Sequence, residues 1–159
     1  YESDLLGVVS AALAKTGIDP ADLTLEVTES LVMGRIEEAE RTLQRLRKLG
    51  IRVSIDDFGT GYSSLSYLKR LSVDEVKIDR SFIIECAKSR EDRALVTAVT
   101  FLAHKLGYQV CAEGVEDAAQ LAFLQKIKCD LYQGYFCSKP VGPNELTARL
   151  RQSGKPDRD

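Results

Sequence analysis

Histidine is nearly missing from this chain: His104 is the only one in 159 residues. It falls within a long helical pattern, away from any strand end, which points to a structural or surface role. A Ser-His-Asp triad and histidine acid–base chemistry therefore find no support. Cysteine is present four times, as Cys86, Cys111, Cys129 and Cys137, but never in C-x-x-C spacing. That argues against a zinc site and for reduced thiols in a cytoplasmic protein. No apolar run approaches the ~20 residues of a membrane span. No excess of one charge exists either. The 22 basic and 24 acidic residues give a formal charge of -2, with no global pull toward polymeric nucleic acid or a membrane surface. No signal peptide is visible, and the chain opens on Tyr1 rather than methionine, so a piece of a longer protein is expected.

What is present suits one α/β domain. An apolar fraction of 44% supports a real core. Helix patterns are expected over residues 3–16, 36–49, 63–71, 93–106 and from Asp117 to about Lys126, with a last helix from Pro143. Strand patterns are expected over residues 23–28, 51–55, 75–78, 108–112 and 130–132. Asp79 reads as the cap of a short helix over 81–87. Repeated βα units imply a parallel sheet with helical cover, and both a doubly wound sheet and a (β/α)8 barrel fit. The polar clusters sit at the C-terminal ends of different strands, which favours the barrel. Five strands cannot close an eight-stranded barrel, so an incomplete barrel of about five βα units is expected. The domain is assigned to residues 1–151 and a polar tail to 152–159.

The strongest chemical signal is Asp56-Asp57, at the end of Ile51–Ile55 and before Phe58-Gly59-Thr60-Gly61-Tyr62. Adjacent carboxylates raise each other's pKa, and a divalent cation relieves the repulsion. A plain turn pair is the alternative. Strand alternation would send the two side chains apart unless the strand breaks there. The loop lacks the G-K-[ST] ending of a phosphate-binding P-loop. Glu26 lies between Leu25 and Val27, which face the other way, so it points into the barrel or into solvent. Lys77 sits between Val76 and Ile78. It either snorkels from an edge or stands inside the barrel beside carboxylates. Glu113 closes the strand before Gly114, while Glu116 can be a ligand-side residue or a partner of the next helix N-terminus. Gln133-Gly134-Tyr135 and Ser138-Lys139-Pro140 offer donors, but ordinary surface loops have the same composition.

Taken together, these blocks resemble the EAL domain family of bacterial cyclic di-GMP phosphodiesterases. The resemblance rests on Glu26-Val27-Thr28-Glu29-Ser30, Asp56 through Leu65, Val76-Lys77-Ile78-Asp79, Ala112-Glu113-Gly114-Val115-Glu116, Gln133-Gly134-Tyr135 and Ser138-Lys139-Pro140. It implies a (β/α)8-type barrel that hydrolyses cyclic di-GMP to linear pGpG with Mg²⁺ or Mn²⁺ in a two-metal site. It implies Glu26, Asp56 and Asp57 as metal ligands, with Asp57 serving the second metal. Lys77 would contact the attacking water or its metal environment. Glu113 would act as general base or support the second metal. Gln133 would hold the water and substrate network, Glu29 would anchor the 57–65 loop, and Glu116 would lie on the substrate side or support it. A homodimer and an upstream sensor or GGDEF domain are implied as well.

Three features of the family pattern have no counterpart in this chain. They are the namesake Glu-Ala-Leu segment, an asparagine metal ligand on the third strand and a substrate-binding arginine. Truncation is the expected cause, so this piece alone is expected to bind metal poorly and to have little activity. A non-catalytic cyclic di-GMP receptor is the alternative function. A third reading, an unrelated barrel enzyme with Lys77 as a Schiff-base nucleophile, has no use for the paired aspartates.

Overall fold

The computed structural model describes residues 2–60 and 69–152. Helix α1 (Glu2–Thr16) ends at Gly17 and leads through a 3₁₀ turn, Pro20–Asp22, into strand β1 (Thr24–Thr28). Then follow α2 (Glu29–Gly34), α3 (Ile36–Lys48), β2 (Arg52–Phe58), β3 (Glu75–Ile78), α4 (Arg80–Glu85) and α5 (Arg90–Lys105). The described chain ends with β4 (Gln109–Ala112), α6 (Ala118–Lys126), β5 (Leu131–Tyr132) and α7 (Pro143–Gln152). The five strands form one parallel sheet in chain order, β1-β2-β3-β4-β5. This agrees with the expected partial barrel, because sequential parallel strands with helical crossovers are the barrel's repeating unit.

Period-two alternation decides which side each strand residue faces. Val53 and Ile55 of β2, Val76 and Ile78 of β3, and Val110 and Ala112 of β4 are fully buried. In one cluster Val53, Ile55 and Val76 pack with Val32, Leu43 and Leu46 from α2 and α3; in the other Ile78, Val110 and Ala112 pack with Ile83, Val96 and Leu124 from α4, α5 and α6. Each such aliphatic side chain contributes roughly 1.5–3 kcal/mol by leaving water. The intervening residues, Glu26, Ser54, Lys77 and Cys111, share the opposite face through the parallel register. A polar face is thereby fixed by the same pattern that builds the core.

Several boundaries differ from the sequence expectation. Helix α5 starts at Arg90 rather than Arg93, because Ser89 caps it by accepting the Asp92 N–H at 3.1 Å. Helix α2 is an unforeseen turn and a half whose Glu29 and Val32 are buried. Strand β2 runs through both aspartates to Phe58 instead of stopping at Ile55. Asp79 does cap α4, accepting the Ser81 N–H at 3.0 Å. Asp117 and Gln120 form a reciprocal capping box on α6. Most of the helix expected over 63–71, along with Gly61, Tyr62 and Leu65, lies outside the described residues, as does nearly all of the 152–159 tail.

Candidate metal centre

The site forms where β2 breaks its own alternation. Ile55 pairs with Val76 and Phe58 pairs with Ile78, so Asp56 and Asp57 together stand opposite Lys77. Two residues facing one define a β-bulge. Asp57 takes a left-handed backbone, φ 57°, a conformation that aspartate tolerates better than most side chains. The Thr60 hydroxyl holds this turn by donating to the Asp57 carbonyl at 2.9 Å. Glu29, buried at the start of α2, accepts the Gly59 N–H at 3.0 Å and ties the loop to β1. The bulge cancels the alternation that would have separated the two aspartates. Asp56, Asp57 and Glu113 each offer a carboxylate oxygen, and the three oxygens lie within 4.8 Å of one another.

Lys77 is the hub. Its Nζ stands 2.6 Å from Glu113 Oε1, 2.9 Å from Glu26 Oε1 and 3.2 Å from Asp56 Oδ1, and its side chain is only 5% exposed. Burial alone would lower its pKa, but hydrogen bonds to Glu113 and Glu26 outweigh that and hold the ammonium well above the ordinary lysine range. A lysine kept charged is the opposite of what a Schiff-base nucleophile requires. Glu113 shows the complementary effect. Burial pushes its carboxyl pKa upward, Lys77 pulls against it, and Asp56 and Glu26 add to the rise. The Gln133 amide donates to Glu113 Oε1 at 2.7 Å.

Two glycines let the last strand ends close on this cluster. At Gly134 (φ 154°) a Cβ would sit 2.3 Å from both the N and the O of Val115. This approach lets Val115 N–H donate to the Gln133 carbonyl and Phe136 N–H to the Val115 carbonyl. At Gly114 (φ 69°) a Cβ would lie 2.6 Å from the Cβ of Arg80. Arg80 in turn reaches Glu116 at 3.5 Å.

The sequence-derived residues thus divide into groups. Asp56, Asp57 and Glu113 converge; Glu26 joins them through Lys77; Gln133 supports Glu113; Glu29 braces the loop; Glu116 stands apart with Arg80. Arg80 stands beside Gly114 at the rim, a position that no sequence signal marked. His104 lies at the other end of the sheet, 2.7 Å from Asp130. All four cysteines are free, and burial raises the thiol pKa of Cys111 to about 12 and of Cys129 to about 11.

One atom bears on a cation directly. Asp56 Oδ1 is buried and accepts no aligned hydrogen bond, although Lys77 Nζ is near. A buried carboxylate oxygen held by an ion pair but by no aligned hydrogen bond is under-satisfied, and Asp56 belongs to an all-oxygen donor set of the kind that hard divalent ions select. The residues present fit such an ion.

Comparison with known proteins gives one family. The EAL domain matches residues 1–140. The cyclic di-GMP phosphodiesterase NbdA of Pseudomonas aeruginosa is 48% identical over 149 residues, covering 94% of this chain and 19% of NbdA. The bifunctional diguanylate cyclase/cyclic di-GMP phosphodiesterase MucR of the same organism is 44% identical over 146 residues, covering 92% of this chain and 21% of MucR. The chain therefore spans about a fifth of these curated relatives. Among solved structures, the PaMucR phosphodiesterase in complex with c-di-GMP superposes with a TM-score of 0.86 at 44% identity, covering 89% of this chain and 57% of that one. The Klebsiella pneumoniae BlrP1 manganese/cy-diGMP complex at pH 9.0 gives 0.80 at 35% identity, covering 86% and 35%.

Proposed function

The chain belongs to the EAL domain family, and on that premise we propose that the protein carrying it hydrolyses one phosphodiester bond of cyclic di-GMP to give linear pGpG. The observation that carries this reading is the convergence of Asp56, Asp57 and Glu113, whose carboxylate oxygens lie within 4.8 Å of one another. Asp56, Asp57 and Glu113, with Glu26 across Lys77, would hold Mg²⁺ or Mn²⁺ in a two-metal site. When bound, such ions supply Lewis acidity and lower the pKa of water.

The chain's own residues divide the remaining work. Glu113, with its pKa raised by burial, is suited to accept the proton of the attacking water. Lys77 stays charged and holds the Glu26, Asp56 and Glu113 carboxylates around the place of the attacking water and its metal environment. Gln133 fixes the Glu113 carboxylate, and Glu29 keeps the Asp57 turn in place. Water adds to phosphorus and the P–O3′ bond breaks. The leaving O3′ takes the proton that Glu113 accepted from the water, so a 5′-phosphate and a 3′-hydroxyl result. Glu116 acts as a supporting residue through its hold on Arg80.

The domain over residues 1–151 is read as the C-terminal two-thirds of an EAL domain. It is further proposed to work in the cytoplasm as a homodimer, downstream of a sensor or GGDEF domain. MucR's description as a bifunctional cyclase and phosphodiesterase supports that last pairing. Among the described residues, no helix is long and apolar enough to cross a membrane.

The test is hydrolysis of cyclic di-GMP by the full-length protein with Mg²⁺ or Mn²⁺, followed chromatographically for pGpG. Wild type should produce pGpG and Asp56→Asn should not. Tight nucleotide binding with no pGpG under either metal would replace this reading with a non-catalytic receptor.

A further inference from the structure

Three carboxylates, Glu26, Asp56 and Glu113, hold the Lys77 ammonium, and a fourth, Asp57, lies beside Asp56 and Glu113. The cluster by itself is three charges negative. Two divalent cations turn that into a single positive charge. A cyclic dinucleotide brings one negative charge on each of its two phosphodiesters, so the loaded site ends net negative. Lys77 cannot correct this, since three carboxylates already occupy its ammonium within 3.2 Å.

A second cation stands at the rim. Arg80 opens α4, three residues after Lys77, and its stem packs against Gly114, the residue next to Glu113. The close approach at Gly114 fixes where that stem lies. The head is not fixed as firmly. It reaches Glu116 at 3.5 Å, and the two side chains are 62% and 47% exposed. An ion pair this open is weak in water, so a better anion can displace it. Phosphate oxygens match the guanidinium fork well.

We infer that Arg80 is a substrate-binding residue, whose guanidinium leaves Glu116 to take a phosphodiester oxygen of the cyclic dinucleotide. Glu116 parks the cation when the site is empty. This rests on the phosphodiesterase reading above and adds to it a residue that the sequence did not single out.

Steady-state kinetics of the full-length protein on cyclic di-GMP, joined to calorimetry with the product pGpG, test it. Arg80→Ala should raise KM and weaken pGpG binding about tenfold while kcat stays within about twofold. It should also flatten the dependence of KM on salt, and Arg80→Lys should recover part of the loss. Glu116→Gln, which releases the guanidinium, should lower KM. The inference is overturned if Arg80→Ala folds with a wild-type melting profile and keeps wild-type KM, pGpG affinity and salt dependence. It is also overturned if Glu116→Gln and Arg80→Ala shift KM in the same direction. A wild type that neither hydrolyses cyclic di-GMP nor binds pGpG removes the underlying phosphodiesterase reading and this inference with it, a result plainly different from the others.

Discussion

The two ends of the same parallel strands use acidic residues in opposite ways. At the N-terminal end, Asp74 precedes β3, accepts the Val53 N–H at 2.9 Å and pairs with Arg47 at 2.8 Å. Asp130 does the same before β5, accepting the Val110 N–H at 2.8 Å and facing His104 at 2.7 Å. Each carboxylate has one backbone donor and one basic side chain. At the C-terminal end, three carboxylates crowd one lysine, a left-handed aspartate interrupts the strand, and a buried oxygen lacks an aligned donor. Satisfied carboxylates tie neighbouring strands together. Under-satisfied ones are kept where a ligand completes them.

Removing the hub should break this contrast most severely. Lys77→Met leaves half-buried Asp56 and Glu113 and exposed Glu26 facing one another without the ammonium, and should cost about 2–4 kcal/mol in urea unfolding. Mn²⁺ should restore part of it by binding the folded state. The sign with pH follows from the raised folded pKa of Lys77. Its contribution is whole below the unfolded lysine pKa, about 10.4, and is lost as pH rises through the folded value. The gap between wild type and variant should therefore hold steady around neutral pH and narrow in strong alkali, and also in acid once the carboxylates take protons.

Asp56→Asn sharpens the contrast from the functional side. Activity of the full-length protein should fall at least about 100-fold, while the urea midpoint moves far less than in Lys77→Met, because the isosteric amide gives up one charge and Lys77 keeps Glu26 and Glu113. A large stability loss with activity retained would reverse the reading of the rim. Gly134→Ala should cost about 1–3 kcal/mol, since the new Cβ meets Val115 backbone at 2.3 Å. It should lower activity as well, by displacing Gln133 from Glu113. Asp74→Ala gives the smallest effect. A loss of about 1–2 kcal/mol is expected from the orphaned Val53 N–H, with kcat and KM unchanged. A fall in kcat there would show that the two ends are not independent.

Much of the fold was legible because burial repeats every second strand residue. Val53, Ile55, Val76, Ile78, Val110 and Ala112 announce the helix-covered face, and their neighbours Ser54, Lys77 and Cys111 must then face the other way. The paired aspartates were legible as a chemical oddity. Their joint orientation was not, because a bulge depends on which residue of β3 stands opposite, and that is a matter of register. Helix α2 was missed because six residues give too short a period to read, and the bond of buried Glu29 to Gly59 reaches thirty positions on.

The amino-acid order by itself determined the alternation of strands and helices, the polar inner face, and the placing of Glu26, Asp56, Asp57, Lys77 and Glu113 near strand ends. Those follow from local periodicity and from what water does to apolar side chains. Only the tertiary structure decided that Asp56 and Asp57 turn the same way, that Lys77 is shared among three carboxylates, and that Arg80 stands beside Gly114. Each of those depends on distances between strands, and charge interactions of a few ångströms are set by register and bulge geometry that no single segment contains.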